Sequence, residues 1–327
     1  MVQQDTKTIL LITLSNIGDA VMTTAVMTAL HEKYPRALMD IVADARSSEL
    51  FDHCPYRGEL FLKDKQAGWR GLINLVKQLR TTRYDLVVDL RTDGLTLLLH
   101  AARRLTRRGS KAAGQHAVQR HFGVIGAREG ISEIPATCLW LSPQDRDFAQ
   151  RQLTALPGTH WLALGPGARG AAKRWPVTAF GELLEQLPAQ FDGVLLLGSA
   201  EDRAICQQLA ARTALPCLNL AGKTGLLQAA ALLQQAAVFI GNDSGLGHVA
   251  AACDTATLTL FGPGDPHRYH PWHPRARWVQ SSSGDIADVA VDEVAAAISG
   301  FHAPAREAGE NNLPRMHTEK HGRKIPE

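Results

Sequence analysis

Residues 239–248, Phe-Ile-Gly-Asn-Asp-Ser-Gly-Leu-Gly-His, place a carboxylate and a hydroxyl among small residues. The apolar run 237–240 predicts a strand, and the small residues from Gly247 onward predict a helix. The first N–H groups of a helix lack partners and its dipole is positive there, so this turn could hold an anion. An Asn/Asp/Ser cap with a glycine turn explains the same residues equally well, so this segment alone does not show whether the turn binds an anion.

A second carboxylate follows the first apolar run of the chain. Residues 8–14 predict a strand buried on both faces, and they lead into Ser-Asn-Ile-Gly-Asp at 15–19. Asp19 would then lie at the mouth of a sheet and at a helix start, where the dipole favours its ionised form. Such a carboxylate could take a proton from an attacking hydroxyl. It could also be an ordinary N-cap.

Three later strand ends carry polar groups, and two of them have two interpretations. The glycine-rich loop 165–176 contains Lys173 and could neutralise a diphosphate, or it could be an exposed loop; it matches neither the dinucleotide fingerprint nor a Walker A loop. Glu201 and Asp202 could accept hydrogen bonds from ribose or cap the next helix. The backbone around Thr224 could meet the edge of a base.

The acidic and histidine-rich segments do not predict a metal site. Residues 145–147, Asp-Arg-Asp, fall in the first turn of a helix predicted to begin at Ser142, where aspartates cap. The histidines at 267, 270 and 273 do not share a helix face. The five cysteines lack CxxC spacing, which is typical of reduced thiols in a cytoplasmic protein.

The order of the apolar runs in this 327-residue chain predicts two α/β domains joined near residues 142–160. Two such domains place the carboxyl ends of their strands on either side of one cleft. No run is long enough to span a membrane, the start does not resemble a signal peptide, and the polar end predicts a disordered tail. The predicted strands are 8–14, 38–42, 59–62, 85–90 (followed by a leucine-rich helix), 161–164, 194–197, 217–220, 238–240 and 258–261.

Charge is concentrated in one part of the chain. The net charge is +3, but residues 63–128 contain 14 Lys and Arg against 4 Asp and Glu. Such a zone indicates an anionic partner or an anionic surface, although solvated helix faces account for part of it.

Taken together, these segments resemble the glycosyltransferase family 9 heptosyltransferases over about residues 8–300. The resemblance rests on four segments in this order: 15–19 (SNIGD), 173–176 (KRWP), 242–248 (NDSGLGH) and 261–266 (FGPGDP). It implies an α/β protein of GT-B architecture, with two Rossmann-like domains facing across a cleft. The expected division is an acceptor-binding domain at 1–155, a nucleotide-sugar domain at 156–302 and a disordered tail at 303–327.

The resemblance also implies an activity: inverting, metal-independent transfer of heptose from ADP-heptose to an anionic inner-core lipopolysaccharide acceptor. No cofactor and no nucleic-acid partner are expected. The expected location is cytoplasmic, with peripheral contact at the inner face of the cytoplasmic membrane.

Residue roles follow position by position from the family's motifs. Asp19 matches the general base, Lys173 the lysine on the donor phosphate and Asp243 the aspartate on the heptose hydroxyls. The remaining donor roles are looser, and Arg169 stands where some members have a hydroxyl residue. They comprise Ser244, Gly245 and His248 at the diphosphate, Glu201 or Asp202 at the ribose, Thr224 at the adenine and Arg169 in the phosphate loop.

The acceptor side rests on the segment 116–120, His-Ala-Val-Gln-Arg. It resembles a family segment that helps to bind acidic acceptor sugars, which assigns His116 and Arg120 to the acceptor. Arg91 and the arginine pairs 103–104 and 107–108 would add charge, since the arginine fork binds carboxylates and phosphates bidentately.

Three other functions share parts of this pattern. A sugar-nucleotide epimerase has the same architecture but needs no acceptor. A protein-directed heptosyltransferase would share the donor site, although the segment 116–120 and the basic zone favour a glycolipid. A non-catalytic sugar-nucleotide-binding protein would not need Asp19.

Overall fold

Two parallel β-sheets flanked by helices make up the chain, as the alternation of apolar runs predicts. The computed structural model describes residues 6–301 except 65, 92–93, 109, 111–113 and 188–189. The predicted tail at 303–327 lies outside the described residues. Among the described helices, none is both long and apolar enough to cross a membrane.

The first sheet has five parallel strands in the order β3-β2-β1-β4-β5. Its central strand is a run of aliphatic residues that is buried on both faces, because helices cover both sides of the sheet. The strands are β1 (Thr8–Ile12), β2 (Leu38–Ala43), β3 (Arg57–Leu62), β4 (Tyr84–Asp89) and β5 (Ala101–Thr106).

The second sheet has six parallel strands in the order β11-β10-β9-β6-β7-β8. The strand order reverses between β9 and β6, which is where open sheets of this kind bind ligands at their carboxyl ends. The strands are β6 (Trp161–Gly165), β7 (Gly193–Leu196), β8 (Cys217–Asn219), β9 (Val238–Asn242), β10 (Ala256–Phe261) and β11 (Ala276–Gln280).

Eleven α-helices are found in the described residues, together with single turns of 3-10 helix. The helices are α1 (Ile17–Lys33), α2 (Gly68–Leu79), α3 (Ala117–Phe122), α4 (Gly126–Glu129), α5 (Pro143–Leu153), α6 (Val177–Gln186), α7 (Arg203–Arg212), α8 (Leu226–Gln235), α9 (Gly245–Ala252), α10 (Pro266–Tyr269) and α11 (Val291–Ser299).

The leucine-rich helix predicted after β4 is wrong. Leu95–Leu98 form only one 3-10 turn, and the chain then enters β5, which has no apolar run. An edge strand with an exposed face does not need a continuous apolar run, because only its other face packs against the protein. Arg104 on β5 holds the turn by donating to the carbonyl oxygens of Thr96 (3.0 Å) and Leu99 (2.7 Å).

The predicted boundary at residues 155 and 156 falls between α5 and β6 and stays a prediction. Helix α5 itself packs against α8, on the side of the second sheet. Its start is the predicted cap: the Ser142 hydroxyl accepts from the Asp145 backbone N–H, and the Asp145 carboxylate accepts from the Ser142 N–H.

Helix α1 joins the two halves, and it is buried along most of its length. One side covers the first sheet, and another side packs against α9. Glycines allow the close approach. A Cβ on Gly18 would lie 2.6 Å from Cδ2 of His248, and a Cβ on Gly245 would lie 2.8 Å from Cβ of Ile17.

A second contact joins the halves at α8. Glu49 lies in a 3-10 helix (Ser48–Phe51) of the first half, and its Oε1 accepts a hydrogen bond from the backbone N–H of Leu227 at 3.0 Å. Leu227 is the second residue of α8, so a side chain of one half caps a helix of the other.

The substitution Gly18→Ala is expected to lower stability by about 1–3 kcal/mol, because its methyl group would overlap the buried His248 ring. Urea unfolding measures this. Gly247→Ala is the matched control, since its Cβ would meet the nearest atom at 3.4 Å, an ordinary contact. In the double variant Gly18→Ala/His248→Ala the loss should be smaller than the sum of the two single losses. Strict additivity would contradict the proposed overlap.

Candidate functional site

The starts of α1 and α9 meet at the carboxyl edges of both sheets. Gly18 and Asp19 belong to the first turn of α1, and Gly245 is the first residue of α9. The contacts of Gly18 with His248 and of Gly245 with Ile17 therefore bring two sequence motifs, more than 220 residues apart, into one site. Both helix dipoles direct their positive ends there.

Asp19 borders a cavity of about 140 Å³ between the two halves. Arg107 and Arg120 line it from the first half, and Arg268 and Tyr269 line it from α10 of the second. The Asn16 side-chain amide donates to Oδ2 of Asp19 at 3.1 Å. One carboxylate and three guanidinium groups thus share a small space.

Burial dominates the electrostatics of Asp19. It raises the pKa of the carboxyl group above its ordinary value, against the opposing effects of the Asn16 hydrogen bond and of Arg107 and Arg268. The sequence analysis considered only the helix dipole, which favours the ionised form, whereas burial acts in the opposite direction. A carboxylate with a raised pKa is the stronger base.

The sequence analysis missed the contribution of α10. Arg268 and Tyr269 follow directly after the FGPGDP segment, and Pro266 at a helix start was the available signal. The Arg268 guanidinium lies 5.0 Å from the centre of the Tyr269 ring. His121 also lines the cavity, and its pKa is lowered to about 3 by burial and by the nearby Arg107, so its ring is neutral.

Lys173 and Asp243 form an ion pair across the mouth of the second sheet. Lys173 ends a 3-10 turn in the loop after β6, and Asp243 follows β9. Gly264 lies over this carboxylate, since a Cβ there would be 2.9 Å from Oδ2 of Asp243. The two residues that the sequence assigns to different parts of the donor are therefore direct neighbours.

Asn242 fixes the loop that carries Lys173. Its side chain is fully buried; it donates to the carbonyl oxygen of Pro166 (2.7 Å) and accepts from the backbone N–H of Trp175 (3.0 Å). The Trp175 indole in turn donates to the carbonyl oxygen of Val289 (3.0 Å). Both ends of the loop are thus tied to the last residue of β9.

The α9 start differs from a plain cap. Ser244 stands at the N-cap position, but its side chain makes no capping hydrogen bond. His248 lies one turn further on and packs on Gly18. Burial lowers the pKa of His248 to about 3, with His116 and His270 as further positive neighbours if protonated. The ring is neutral and belongs to the contact between α1 and α9.

The remaining predicted donor residues differ in how available they are. The Asp202 carboxylate accepts from the backbone N–H and the hydroxyl of Ser199, both at 2.8 Å, so it caps the following turn. Glu201 is exposed beside Asp202, and Arg169 is exposed in the loop after β6. Thr224 is half-buried, just before α8.

The two acceptor residues of the segment 116–120 have different surroundings. The Arg120 side chain lines the Asp19 cavity. His116 is buried; Nδ1 accepts from the Val118 N–H (3.2 Å), and Nε2 donates to the carbonyl oxygen of His270 (2.9 Å). Burial lowers the pKa of His116 to about 4. His116 therefore caps α3 and ties it to the second half.

The rest of the predicted basic zone is divided between the fold and the site. Arg103 pairs with the buried Glu129 at 3.0 Å and hydrogen-bonds Tyr34, so it is structural. Arg107 reaches the cavity. Arg91 follows β4, where its N–H donates to Oδ1 of Asp89 at 2.7 Å. Within the described residues, no group of three or more His, Cys, Asp or Glu side chains could hold a metal ion.

Comparison with known proteins identifies the family of the chain. The family model of glycosyltransferase family 9 (heptosyltransferase) matches residues 98–295. Lipopolysaccharide heptosyltransferase 3 of Escherichia coli K12 is 28% identical over 284 residues, which are 78% of this chain and 82% of the relative. Lipopolysaccharide heptosyltransferase 2 of the same strain is 28% identical over 308 residues, 84% and 88% of the two chains.

The fold comparison gives the same result. The solved structure of the E. coli ADP-heptose LPS heptosyltransferase II superposes with a TM-score of 0.76 at 27% identity, covering 90% of this chain and 98% of that chain. This confirms the predicted GT-B architecture of two parallel α/β domains. Because the family model covers more than half of its length, the chain belongs to glycosyltransferase family 9, the heptosyltransferases, and is a glycosyltransferase.

Proposed function

We propose that this protein transfers heptose from ADP-heptose to a hydroxyl group of an anionic inner-core lipopolysaccharide acceptor, with inversion and without a metal ion. The observation that supports this most directly is the meeting of α1 and α9. It brings a basic carboxylate and an anion-binding helix start within one site. The lipopolysaccharide heptosyltransferases of E. coli are the relatives that suggest donor and acceptor.

In this proposal the donor diphosphate lies on the Ser244 and Gly245 N–H groups and meets Lys173. A diphosphate carries more negative charge than one carboxylate, so Lys173 turns from Asp243 toward it. Asp243 is then available to the heptose hydroxyls. Arg169 adds charge from the exposed loop, where it would take the place of neutral hydroxyl donors.

The nucleoside end of the donor extends toward β7 and α8. We assign the ribose to Glu201 in preference to Asp202, because Asp202 is engaged by Ser199. The backbone near Thr224 faces the adenine. His248 stays behind α9 and supports the phosphate site through its contact with Gly18.

The acceptor lies in the cavity beside Asp19. Arg120, Arg107 and Arg268 surround it with positive charge, which suits carboxylates or phosphates next to the reacting hydroxyl. His116 acts by positioning, since both of its ring nitrogens are engaged. Arg91, which follows β4, completes the proposed acceptor-binding set.

The chemical step is a direct displacement. Asp19 takes the proton of the acceptor hydroxyl while that oxygen attacks the anomeric carbon of the heptose. The bond from this carbon to the phosphate oxygen breaks, and ADP leaves from the opposite face, so the configuration inverts. Lys173 and the α9 N–H groups stabilise the charge that develops on the leaving group, and no metal ion is needed for it.

The proposal includes the domain roles and the location. Residues 1–155 carry most of the acceptor site, with Arg268 added from the second domain, and residues 156–302 bind the nucleotide sugar. The protein acts on the cytoplasmic side, in peripheral contact with the inner membrane, because its acceptor is a membrane glycolipid.

Replacing Asp19 by Ala is expected to lower kcat by about 10²–10⁴-fold while donor binding is retained, because the base is lost but the α9 site is intact. Turnover is measured with a soluble acceptor, and donor binding by thermal shift. Asp147→Ala, which replaces an exposed aspartate of α5, is the control and should have normal turnover.

The same assays separate the alternatives. ADP-heptose, but no UDP-sugar, should raise the melting temperature of both variants and of the wild type. Donor conversion without acceptor indicates an epimerase, and transfer to a serine peptide indicates a protein-directed enzyme. Binding without any turnover indicates a non-catalytic protein, and normal turnover of Asp19→Ala refutes the base assignment.

The acid limb of kcat/KM should lie above the ordinary pKa of an aspartate, because Asp19 accepts a proton only when ionised and its pKa is raised. The Asn16 hydrogen bond lowers that pKa. Asn16→Ala should therefore move the limb to higher pH, whereas the exposed Gln144→Ala should leave it in place. A limb that is unmoved or shifted to lower pH in Asn16→Ala would rule out Asp19 as the titrating base.

A further inference from the structure

An exposed apolar surface lies on the first domain. It is formed by Trp69, Leu72 and Ile73 of α2 and by Leu97 and Leu98 of the 3-10 turn after β4. Trp69 is 70% exposed and Leu97 is 77% exposed. These five residues are called the α2 patch below. Single exposed leucines are ordinary, but five large side chains on two neighbouring elements are not.

The α2 patch is not a core surface that failed to pack. Leu75 and Leu79 of α2 already pack onto the sheet, in one cluster with Leu95 and Leu99 around the 3-10 turn. Trp69, Leu72 and Ile73 are spaced as i, i+3 and i+4, so they form an adjoining stripe of the same helix. The apolar face of α2 is therefore wider than the sheet beneath it can cover.

Positive charge borders this stripe. Between Asp64 and Asp85 the sequence contains five Lys and Arg and no Asp or Glu. Arg70, Lys77 and Arg80 of this stretch are exposed on or next to α2. An apolar stripe with cations at its side is the composition of helices that lie in the interface of an anionic membrane.

The position of the patch relates it to the site. The α2 side chains pack on Leu10 and Ile12, whereas α1 lies over the other face with Ile9 and Leu11. Since α2 follows β3 and precedes β4, its Trp69 end is at the carboxyl edge of the sheet. Asp19 lies at this same edge.

We propose that the α2 patch docks the protein on a leaflet that contains anionic phospholipid, with Trp69, Ile73 and Leu97 entering the acyl boundary and Arg70, Lys77 and Arg80 meeting the headgroups. That the acceptor lies in the same leaflet rests on the proposed function; the docking itself does not. A membrane fits better than a protein partner, because α2 itself contains Arg70 and Lys77 but no Asp or Glu. The neighbouring carboxylate of Asp64 is engaged by the backbone N–H groups of Gln66 and Ala67.

Vesicle co-sedimentation of the full chain tests the docking. Vesicles of phosphatidylethanolamine with phosphatidylglycerol should bind the protein, and salt should weaken the binding; vesicles of phosphatidylcholine should bind far less. Ile73→Glu and Leu97→Glu should each lower the partition coefficient on the order of tenfold. Leu38→Glu is the matched control, and this variant should bind vesicles as the wild type does. Leu38 is 59% exposed, but it is the first residue of β2 and so lies at the amino ends of the strands, opposite the edge where Trp69 lies.

Trp69 reports on the depth of insertion. Phosphatidylglycerol vesicles with brominated acyl chains should quench its fluorescence, and Trp69→Phe should remove most of this quenching. Equal binding of both vesicle types, wild-type binding by the two patch variants, or unchanged quenching in Trp69→Phe would overturn the proposal. Self-association that the patch variants abolish, with no vesicle binding by the wild type, would overturn it in favour of a protein interface.

The outcome is separable from the proposed function. The patch variants should keep the thermal shift with ADP-heptose and normal turnover of a delipidated acceptor, and they should lose activity only on acceptor embedded in vesicles. If vesicle binding depends on the patch but ADP-heptose gives no shift, the docking stands and the donor assignment fails.

Discussion

The close approach of α1 and α9 is the constraint on which the rest of the site depends. Gly18 and Gly245 allow two helix starts from different domains to touch, with the neutral His248 ring between them. An ordinary side chain at either glycine would separate the helices by roughly the width of a methyl group. The carboxylate of Asp19 and the N–H groups of α9 would then no longer belong to one site, although both domains could still fold.

Opposing effects determine the pKa of the Asp19 carboxyl group. Arg107, Arg268 and the Asn16 hydrogen bond favour the ionised form of Asp19, yet burial outweighs them and raises its pKa. The result is a carboxylate that is more basic than an exposed aspartate while a positively charged cavity lies beside it. Burial keeps His121 and His116 neutral, so among the described residues that line the cavity the positive charge comes from arginines.

Much of the fold can be predicted from local sequence. Most of what cannot be predicted depends on contacts between distant parts of the chain. Strands such as Thr8–Ile12 are predictable because burial on both faces requires a continuous apolar run. Strand β5 was not predicted, because an edge strand can carry polar residues on one face. The arginines of β5 resemble an exposed basic segment. Three site residues can be identified from the sequence because they follow predicted strands: Asp19, Lys173 and Asp243. The remaining features depend on tertiary packing, which spacing along the chain does not encode. Packing brings Arg268 to the site, pairs Lys173 with Asp243, and buries Asp19 so that its pKa is raised.

The hydrogen bond from Leu227 to Glu49 limits how the two domains can move. If the domains separate at this corner, the first turn of α8 loses a carboxylate partner, at a cost of about 1 kcal/mol. A rotation that keeps Glu49 in place avoids this cost, but if it widens the cleft at the Asp19 cavity it also stretches the hydrogen bond from His116 to the carbonyl oxygen of His270. The two hydrogen bonds therefore oppose opening of the cleft at two separate places.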